Sequence, residues 1–212
     1  MPKKSALETL VYMDKKQIYC WGLSLKKDEQ DKEEKELLQI LKELPKPLSG
    51  NFLEIGVGSG RFIEKVSRKF PKTKCFGVDV VPDFVKTKNP KIRLSLQSAE
   101  KLSFPDNFFS FVILIDVLHH VPNKEKAISE ISRVCKPGGT IIFRDIRPRH
   151  ALDKLRYRLV DLTCLVYNTN LPKYFSEKEW EPKLSQKNIR IKNIQRYNSQ
   201  LDWIICQKSP KR

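Results

Sequence analysis

No apolar run in this sequence approaches the roughly 18 residues that cross a bilayer as a helix, and its 212 residues include only three histidines, two methionines and five cysteines. The first absence argues against a membrane-spanning helix. Met1-Pro2-Lys3-Lys4 leads into no uninterrupted apolar stretch, so a secretory signal is not expected either. Cys20, Cys75, Cys135, Cys164 and Cys206 lie far apart with no C-x-x-C pair. That spacing speaks against a cysteine zinc site or a disulfide frame and suits reduced thiols in a cytoplasmic protein. There is no G-x-S-x-G element for a serine nucleophile. The adjacent His119 and His120 have no third ligand at zinc spacing, so no metal site is expected.

Acidic residues are also scarce relative to basic ones: 25 against 41, a formal charge of +16. The imbalance is uneven, with ten basic and nine acidic residues up to Gly50 but fifteen and six from Arg147 onward. A basic surface attracts phosphates, anionic lipid or acidic small molecules. The lysines are dispersed rather than blocked, which equally fits a well-solvated surface.

What is present is a strong alternation of elements. Lys26 to Leu44 reads as an amphipathic helix, with Leu37, Leu38, Ile40, Leu41 and Leu44 at helical spacing and Pro45 and Pro47 ending it. An aromatic cluster (Tyr12, Tyr19, Trp21) precedes it. From Asn51 the rhythm changes: a strand over Phe52–Ile55, a glycine-rich turn, and a helix over Arg61–Phe70. Strands follow at Lys74–Val80 and Ile92–Leu96. The apolar run Phe108–Ile115 is the mark of a strand buried on both faces. Lys124–Cys135 reads as a helix stopped by Lys136-Pro137-Gly138-Gly139, and Thr140–Phe143 as a fifth strand. Helices are expected at Ala151–Tyr167 and Ser176–Leu184, and strands at Ile189–Arg196 and Asp202–Lys208. Such alternation means an α/β protein with a parallel sheet. The chain divides into a helical and aromatic extension over 1–50, capping the site, and a domain over 51–212. The cofactor-binding core is expected at 51–146, and cover helices with the last two strands at 147–212.

The chemistry concentrates in Leu53-Glu54-Ile55-Gly56-Val57-Gly58-Ser59-Gly60-Arg61-Phe62. Glycines between a strand and a helix let a nucleotide-like ligand approach the backbone closely. A dinucleotide site usually reads G-x-G-x-x-G, with the helix start aimed at a pyrophosphate. Here Gly56, Gly58 and Gly60 are spaced G-x-G-x-G, and Arg61 stands where the third glycine would be. Glu54 at the mouth would repel a pyrophosphate, but it suits the ammonium and sulfonium charges of S-adenosylmethionine. Asp79 ends the second strand, where an acid can accept both ribose hydroxyls.

The pieces LEIGVGSGRF, GVDV, SAEKLSFPDNFFSFVILIDVLHHV and AISEISRVCKPGGTIIFRD run in order from Leu53 to Asp145. Together they resemble class I S-adenosylmethionine-dependent methyltransferases of the ubiquinone/menaquinone-biosynthesis (type 11) kind. The tail KYFSEKEWEPKLSQKNIRI is similar to that family's approach to its last two strands. The resemblance implies a Rossmann-like three-layer sandwich around a seven-stranded, mostly parallel sheet whose last strand, over Trp203 to Gln207, is antiparallel. It places Glu54, Gly56, Gly58 and Gly60 at the methionine end of the cofactor and Asp79 on the ribose. Val80 would pack on the adenine, Ser98 and Ala99 would edge the ring, and Asp116 would lie near the transferring methyl. Two departures stand out. Ser98 replaces an acid that hydrogen-bonds the adenine amino group, and Val80-Val81-Pro82 replaces the acid's usual Pro-Ser sequel, which puts the following helix in doubt.

Methyl transfer from a sulfonium is an in-line displacement that needs positioning more than acid catalysis, leaving S-adenosylhomocysteine as product. A base is required only where the acceptor loses a proton. His119 and His120 are the candidates, because an imidazole titrates near pH 6.5; the alternative is a turn whose rings satisfy nearby carbonyls. The expected acceptor is a small molecule, acidic or lipophilic. An RNA methyltransferase using the basic last third comes second, ahead of an inactive binding protein of the same fold and, last, an NAD-dependent oxidoreductase. His150 and the basic stretch Arg147 to Arg158 read either as a path for an acidic substrate or as an ordinary cover helix.

Overall fold

The computed structural model describes residues 35, 38, 39, 41, 50–146, 175–196 and 201–210. The aromatic cluster, the basic stretch Arg147 to Arg158 and the helix expected at Ala151–Tyr167 lie outside the described residues. Of the helix expected at Lys26–Leu44, the described positions 35, 38, 39 and 41 are helical.

In chain order the elements are β1 (Gly50–Ile55), α1 (Arg61–Lys69), β2 (Thr73–Asp79), β3 (Ile92–Leu96), β4 (Phe109–Ile115), α2 (Lys124–Val134), β5 (Cys135–Ile146), α3 (Glu177–Ser185), β6 (Ile189–Arg196) and β7 (Leu201–Lys208). They form one seven-stranded sheet in the order β3-β2-β1-β4-β5-β7-β6. β7 runs antiparallel to both β5 and β6, and every other pairing is parallel. This is the Rossmann-like class I methyltransferase arrangement that the resemblance implies.

Alternation along the strands sorts side chains onto two faces. Phe52, Phe111, Ile113, Ile142, Trp203 and Ile205 join Phe62, Ile63 and Val66 of α1 in one apolar cluster, which Leu41 also enters. Leu53, Ile55, Val112, Leu114, Ile141, Phe143 and Ile204 pack on the opposite face under Ala127, Ile128 and Ile131 of α2 and Trp180 and Leu184 of α3. The sheet is therefore covered on both sides, which explains why β4 is apolar at every position but Ser110. α3 begins at a reciprocal cap: the Ser176 backbone N–H and hydroxyl both donate to the Glu179 carboxylate, at 2.8 and 2.6 Å.

Two elements differ from the sequence reading. β5 starts at Cys135 rather than Thr140, because Cys135 pairs with Phe109 and the ladder resumes at Phe111 with Thr140. Lys136-Pro137-Gly138-Gly139 thus forms a bulge inside the strand. Between β2 and β3 there is only a short 3-10 turn, Pro82–Phe84. Pro82 starts that turn, and the segment after it is tied sideways instead, with the Thr87 hydroxyl and Asn89 amide donating to Glu64 of α1 at 3.1 and 2.9 Å.

The strand order reverses between β1 and β4, and the chain closes tightly there. Gly56 follows β1 with φ +75°, and a Cβ on it would come within 2.2 Å of Val117 Cγ2 in the turn after β4. Glycine is needed twice over, for left-handed backbone and for the approach of that turn. Gly56→Ala should destabilise the fold by about 2–4 kcal/mol, summing overpacking and left-handed strain. Chemical denaturation would show it, and adding Val117→Ala should recover the packing part but not the strain.

Candidate functional site

In open parallel sheets the crevice beyond the strand C-termini, where the order reverses, is the ready-made ligand site. Here it is bounded by residues 56–60 after β1, Asp79 after β2, and residues 116–121 after β4. The backbone N–H groups of Gly56 and Val57 both donate to the Val78 carbonyl, at 2.8 and 3.2 Å, so the glycine turn is fastened to the neighbouring strand. Asp79 completes the fastening. Its Oδ2 accepts the Gly58 N–H and its Oδ1 accepts the Val81 N–H, each at 3.0 Å. Burial raises the Asp79 pKa, and these backbone N–H bonds offset part of that rise. A carboxylate has about four acceptor positions, so holding two backbone amides leaves capacity for further donors.

Gly58 and Gly60 have φ +49° and +74°, and a Cβ on either would meet nothing within 4 Å. Their missing side chains therefore line open space, unlike that of Gly56, which serves packing. Gly60 is also the N-cap of α1 and provides no side-chain cap. Close backbone approach, a carboxylate at a strand end and an unfilled turn suit a nucleotide-like ligand.

The remaining expected contacts divide. Glu54 is buried on the α1 face of β1, and after burial itself its charge is the main influence holding the Cys75 thiol up at about 12. Val80 is half-buried at the mouth. The Ser98 hydroxyl accepts the Glu100 N–H at 3.2 Å, folding a small turn, and the Ala99 side chain sits in the core, leaving its backbone for the cleft. Asp116 has φ +54°, and its carboxylate pairs with Arg144, a buried guanidinium stacked over Trp203 at 5.2 Å.

His119 and His120 share a 3-10 turn, Leu118–His120, but not an environment. His119 is buried. Its backbone N–H donates to Asp145 Oδ2 at 3.0 Å and its ring Nδ1 lies 2.6 Å from Asp145 Oδ1. His120 is exposed, its ring centroid 4.0 Å from that of His119. Burial works against a charged His119, but the Asp145 carboxylate and its hydrogen bond outweigh it, so the pKa stands above the ordinary histidine value. Desolvation, followed by the charge of His119, lowers the pKa of His120.

Three partners were not singled out from the sequence: Asp145, Arg144 and Asn123. The first two lie at the end of β5 on opposite faces, which the alternation of Phe143-Arg144-Asp145 could have shown. Asn123 caps α2, accepting the Lys126 N–H at 2.9 Å, while its own N–H donates to Glu100 at 2.6 Å. That last bond links the Ser98-Ala99 segment to the histidine turn.

Residues 53–143 match the family described as a methyltransferase domain. The chain is 29% identical over 119 residues to phosphatidylethanolamine N-methyltransferase of Cereibacter sphaeroides, covering 50% of this chain and 57% of that one. It is 47% identical over 49 residues to a ubiquinone/menaquinone biosynthesis C-methyltransferase of Neisseria meningitidis, covering 23% of this chain and 20% of the other. An S-adenosylmethionine-dependent methyltransferase structure from Aquifex aeolicus superposes with a TM-score of 0.62 at 17% identity, over 82% of this chain and 89% of that one. The chain spans about half the length of the first curated relatives it matches.

The raised pKa of His119 has a consequence for stability. Its contribution is fully present below the unfolded value, near 6.5, and is lost as pH rises through the higher folded value. The thermal midpoint should therefore fall as pH rises above about 6.5, and His119→Asn should flatten that slope in melts followed by circular dichroism.

Proposed function

We propose that this chain, which carries a methyltransferase domain on the class I fold, moves a methyl group from S-adenosylmethionine to a small-molecule acceptor. The observation that carries the reading is the glycine turn held by Asp79, with Gly58 and Gly60 opening onto unfilled space at the strand reversal. On this reading Glu54, Gly56, Gly58 and Gly60 shape the methionine end, Asp79 holds the ribose, Val80, Ser98 and Ala99 flank the adenine, and Asp116 lies toward the methyl. Bound there, the cofactor supplies a methyl group on a sulfonium, whose thioether leaving group needs no proton.

The chain's own contribution is orientation. The turn amides and the Asp79 carboxylate would hold the cofactor in the crevice that residues 116–121 bound on the other side. Preorganised placement of this kind is the main lever for an in-line displacement. Where the acceptor is an oxygen or carbon acid, a base must take its proton, and the histidine turn is the titratable element beside the cleft.

Relatives named for phospholipid and quinone acceptors support a small, lipophilic or acidic acceptor for this chain. An RNA acceptor is the second reading, motivated by the charge of +16. It requires RNA binding whose affinity falls steeply with salt, and a flat salt response in filter binding removes it.

Calorimetry with S-adenosylhomocysteine tests the cofactor reading. Wild type should bind, and Asp79→Ala should weaken binding by at least about 10- to 100-fold, the worth of one charged hydrogen bond to a hydroxyl. Because burial raises the Asp79 pKa, affinity should fall on acidification beginning above the ordinary aspartate value near 3.9. Asp79→Asn should lose that pH dependence. No binding by the wild type ends the proposal.

A further inference from the structure

The loop after β3 stands at the mouth of the crevice and is closed on itself. β3 runs parallel to β2, so the chain leaves it at the same end of the sheet as Asp79. There the Gln97 N–H donates to the Asp79 carbonyl at 2.9 Å, beside the carboxylate that holds Gly58. The Gln97 side-chain oxygen accepts the Ser103 N–H at 2.7 Å, across the neck of the loop. Within it, the Ser98 carbonyl accepts the Lys101 N–H at 3.0 Å and the Ser98 hydroxyl accepts the Glu100 N–H at 3.2 Å. Residues 97–103 therefore form one compact unit whose ends are pinned together.

Two ties join that unit to α2. One grips the second half of the helix: Glu130 accepts the Leu102 N–H and Arg133 donates to the Leu102 carbonyl, each at 2.8 Å. The other reaches the start of the helix, where Glu100 Oε1 accepts the N–H of the N-cap residue, Asn123, at 2.6 Å. Asn123 accepts the Lys126 N–H on its side chain at 2.9 Å and the Ala127 N–H on its carbonyl at 3.1 Å. The next residue, buried Lys124, reaches back to the Val121 and His119 carbonyls at 2.8 and 3.4 Å. The seat of Asn123 thus governs how Lys124 meets the turn over 118–121. Asn123 is exposed and Glu100 half-buried, so water competes for the bond between them.

We propose that Glu100 is a positioning residue that couples a ligand in the cofactor crevice to the crevice's other wall, by tying the N-cap of α2 to the loop over 97–103. This rests on the methyl-transfer reading above and deepens it. A ligand that fixes residues 97–99 favours the arrangement in which the Glu100–Asn123 bond is made. The made bond seats Asn123 and Lys124, and so steadies the turn over 118–121 when a methyl donor is in place. Linkage makes the effect reciprocal: the bond raises the affinity for that ligand by the same factor.

Hydrogen–deuterium exchange of the full chain, with and without saturating S-adenosylhomocysteine, tests this over residues 56–60, 97–103 and 122–127. The last segment lies beyond the crevice wall at 116–121, so slowing there reports transmission rather than contact. In the wild type the ligand should slow exchange in all three, and over 122–127 by about fivefold or more. Glu100→Gln keeps an accepting oxygen and should behave as the wild type does. Glu100→Ala should keep the slowing at 56–60 and 97–103, lose it over 122–127, and bind the ligand more weakly in calorimetry by the same factor. A cap that merely stabilises the helix would give faster exchange over 122–127 in ligand-free Glu100→Ala with the ligand-induced slowing intact, and that pattern overturns the proposal. A Glu100→Gln variant that behaves as Glu100→Ala overturns it too. Wild type that binds without slowing at 122–127 strikes the coupling alone, whereas wild type that does not bind strikes the methyl-transfer reading and the coupling with it.

Discussion

One carboxylate holds the cleft together. Asp79 sits at the end of β2, and its two oxygens each take a backbone amide, from Gly58 in the turn after β1 and from Val81 beyond its own strand. A left-handed glycine turn has few side chains with which to fix itself, so its shape depends on what its amides find. Two of them find the Val78 carbonyl and one finds Asp79. The residue proposed to hold the ribose therefore also sets the geometry of the glycine turn. On that proposal, ligand affinity and loop order would be coupled through this side chain.

The other wall of the cleft is built on a different logic. Gly56 admits Val117 at a distance no side chain would tolerate, and the backbone then reverses through the left-handed Asp116, whose carboxylate meets Arg144. From there the chain enters the histidine turn, held by Asp145 and Lys124, and then α2, whose cap is tied to Glu100. Residues 98–100, 116–123 and 144–145 thus form one connected network of hydrogen bonds and ion pairs. A ligand that orders the first segment bears on the second. The ion pairs within it are buried or half-buried, so breaking one leaves an uncompensated charge, which is costlier than losing a surface pair.

Much of this was legible in the sequence, for identifiable reasons. β4 announced itself because a strand covered on both faces is apolar almost without interruption, Ser110 being its one polar position. The turn over 56–60 was legible because glycine at alternate positions after a strand marks backbone that must bend left-handed or meet a ligand closely. Asp79 was singled out from its place at a strand end, as a candidate ligand for ribose. Its grip on Gly58 depends on a contact across 21 residues that no local pattern encodes. The same holds for Asp145, which in sequence is one more acid after an apolar strand and in space is the partner of His119. Periodicity shows which face a residue takes; it does not show what stands opposite. The missing helix after β2 was half-visible, since Val80-Val81-Pro82 broke the expected pattern without saying that a 3-10 turn would replace it. The helix does stop ahead of 136–139, at Val134, but the fifth strand was placed too late, because β4 pairs on both sides of the Pro-Gly-Gly bulge and so draws Cys135 into the ladder.

A crystal structure of the protein with S-adenosylhomocysteine tests the central claim most directly. It should show the ribose hydroxyls within hydrogen-bond distance of Asp79, the amino-acid end along Gly56 to Gly60, and the adenine beside Val80 and Ala99, with the Gly58–Asp79 bond retained. A ligand bound elsewhere, or one whose ribose makes no contact with Asp79, would contradict the account.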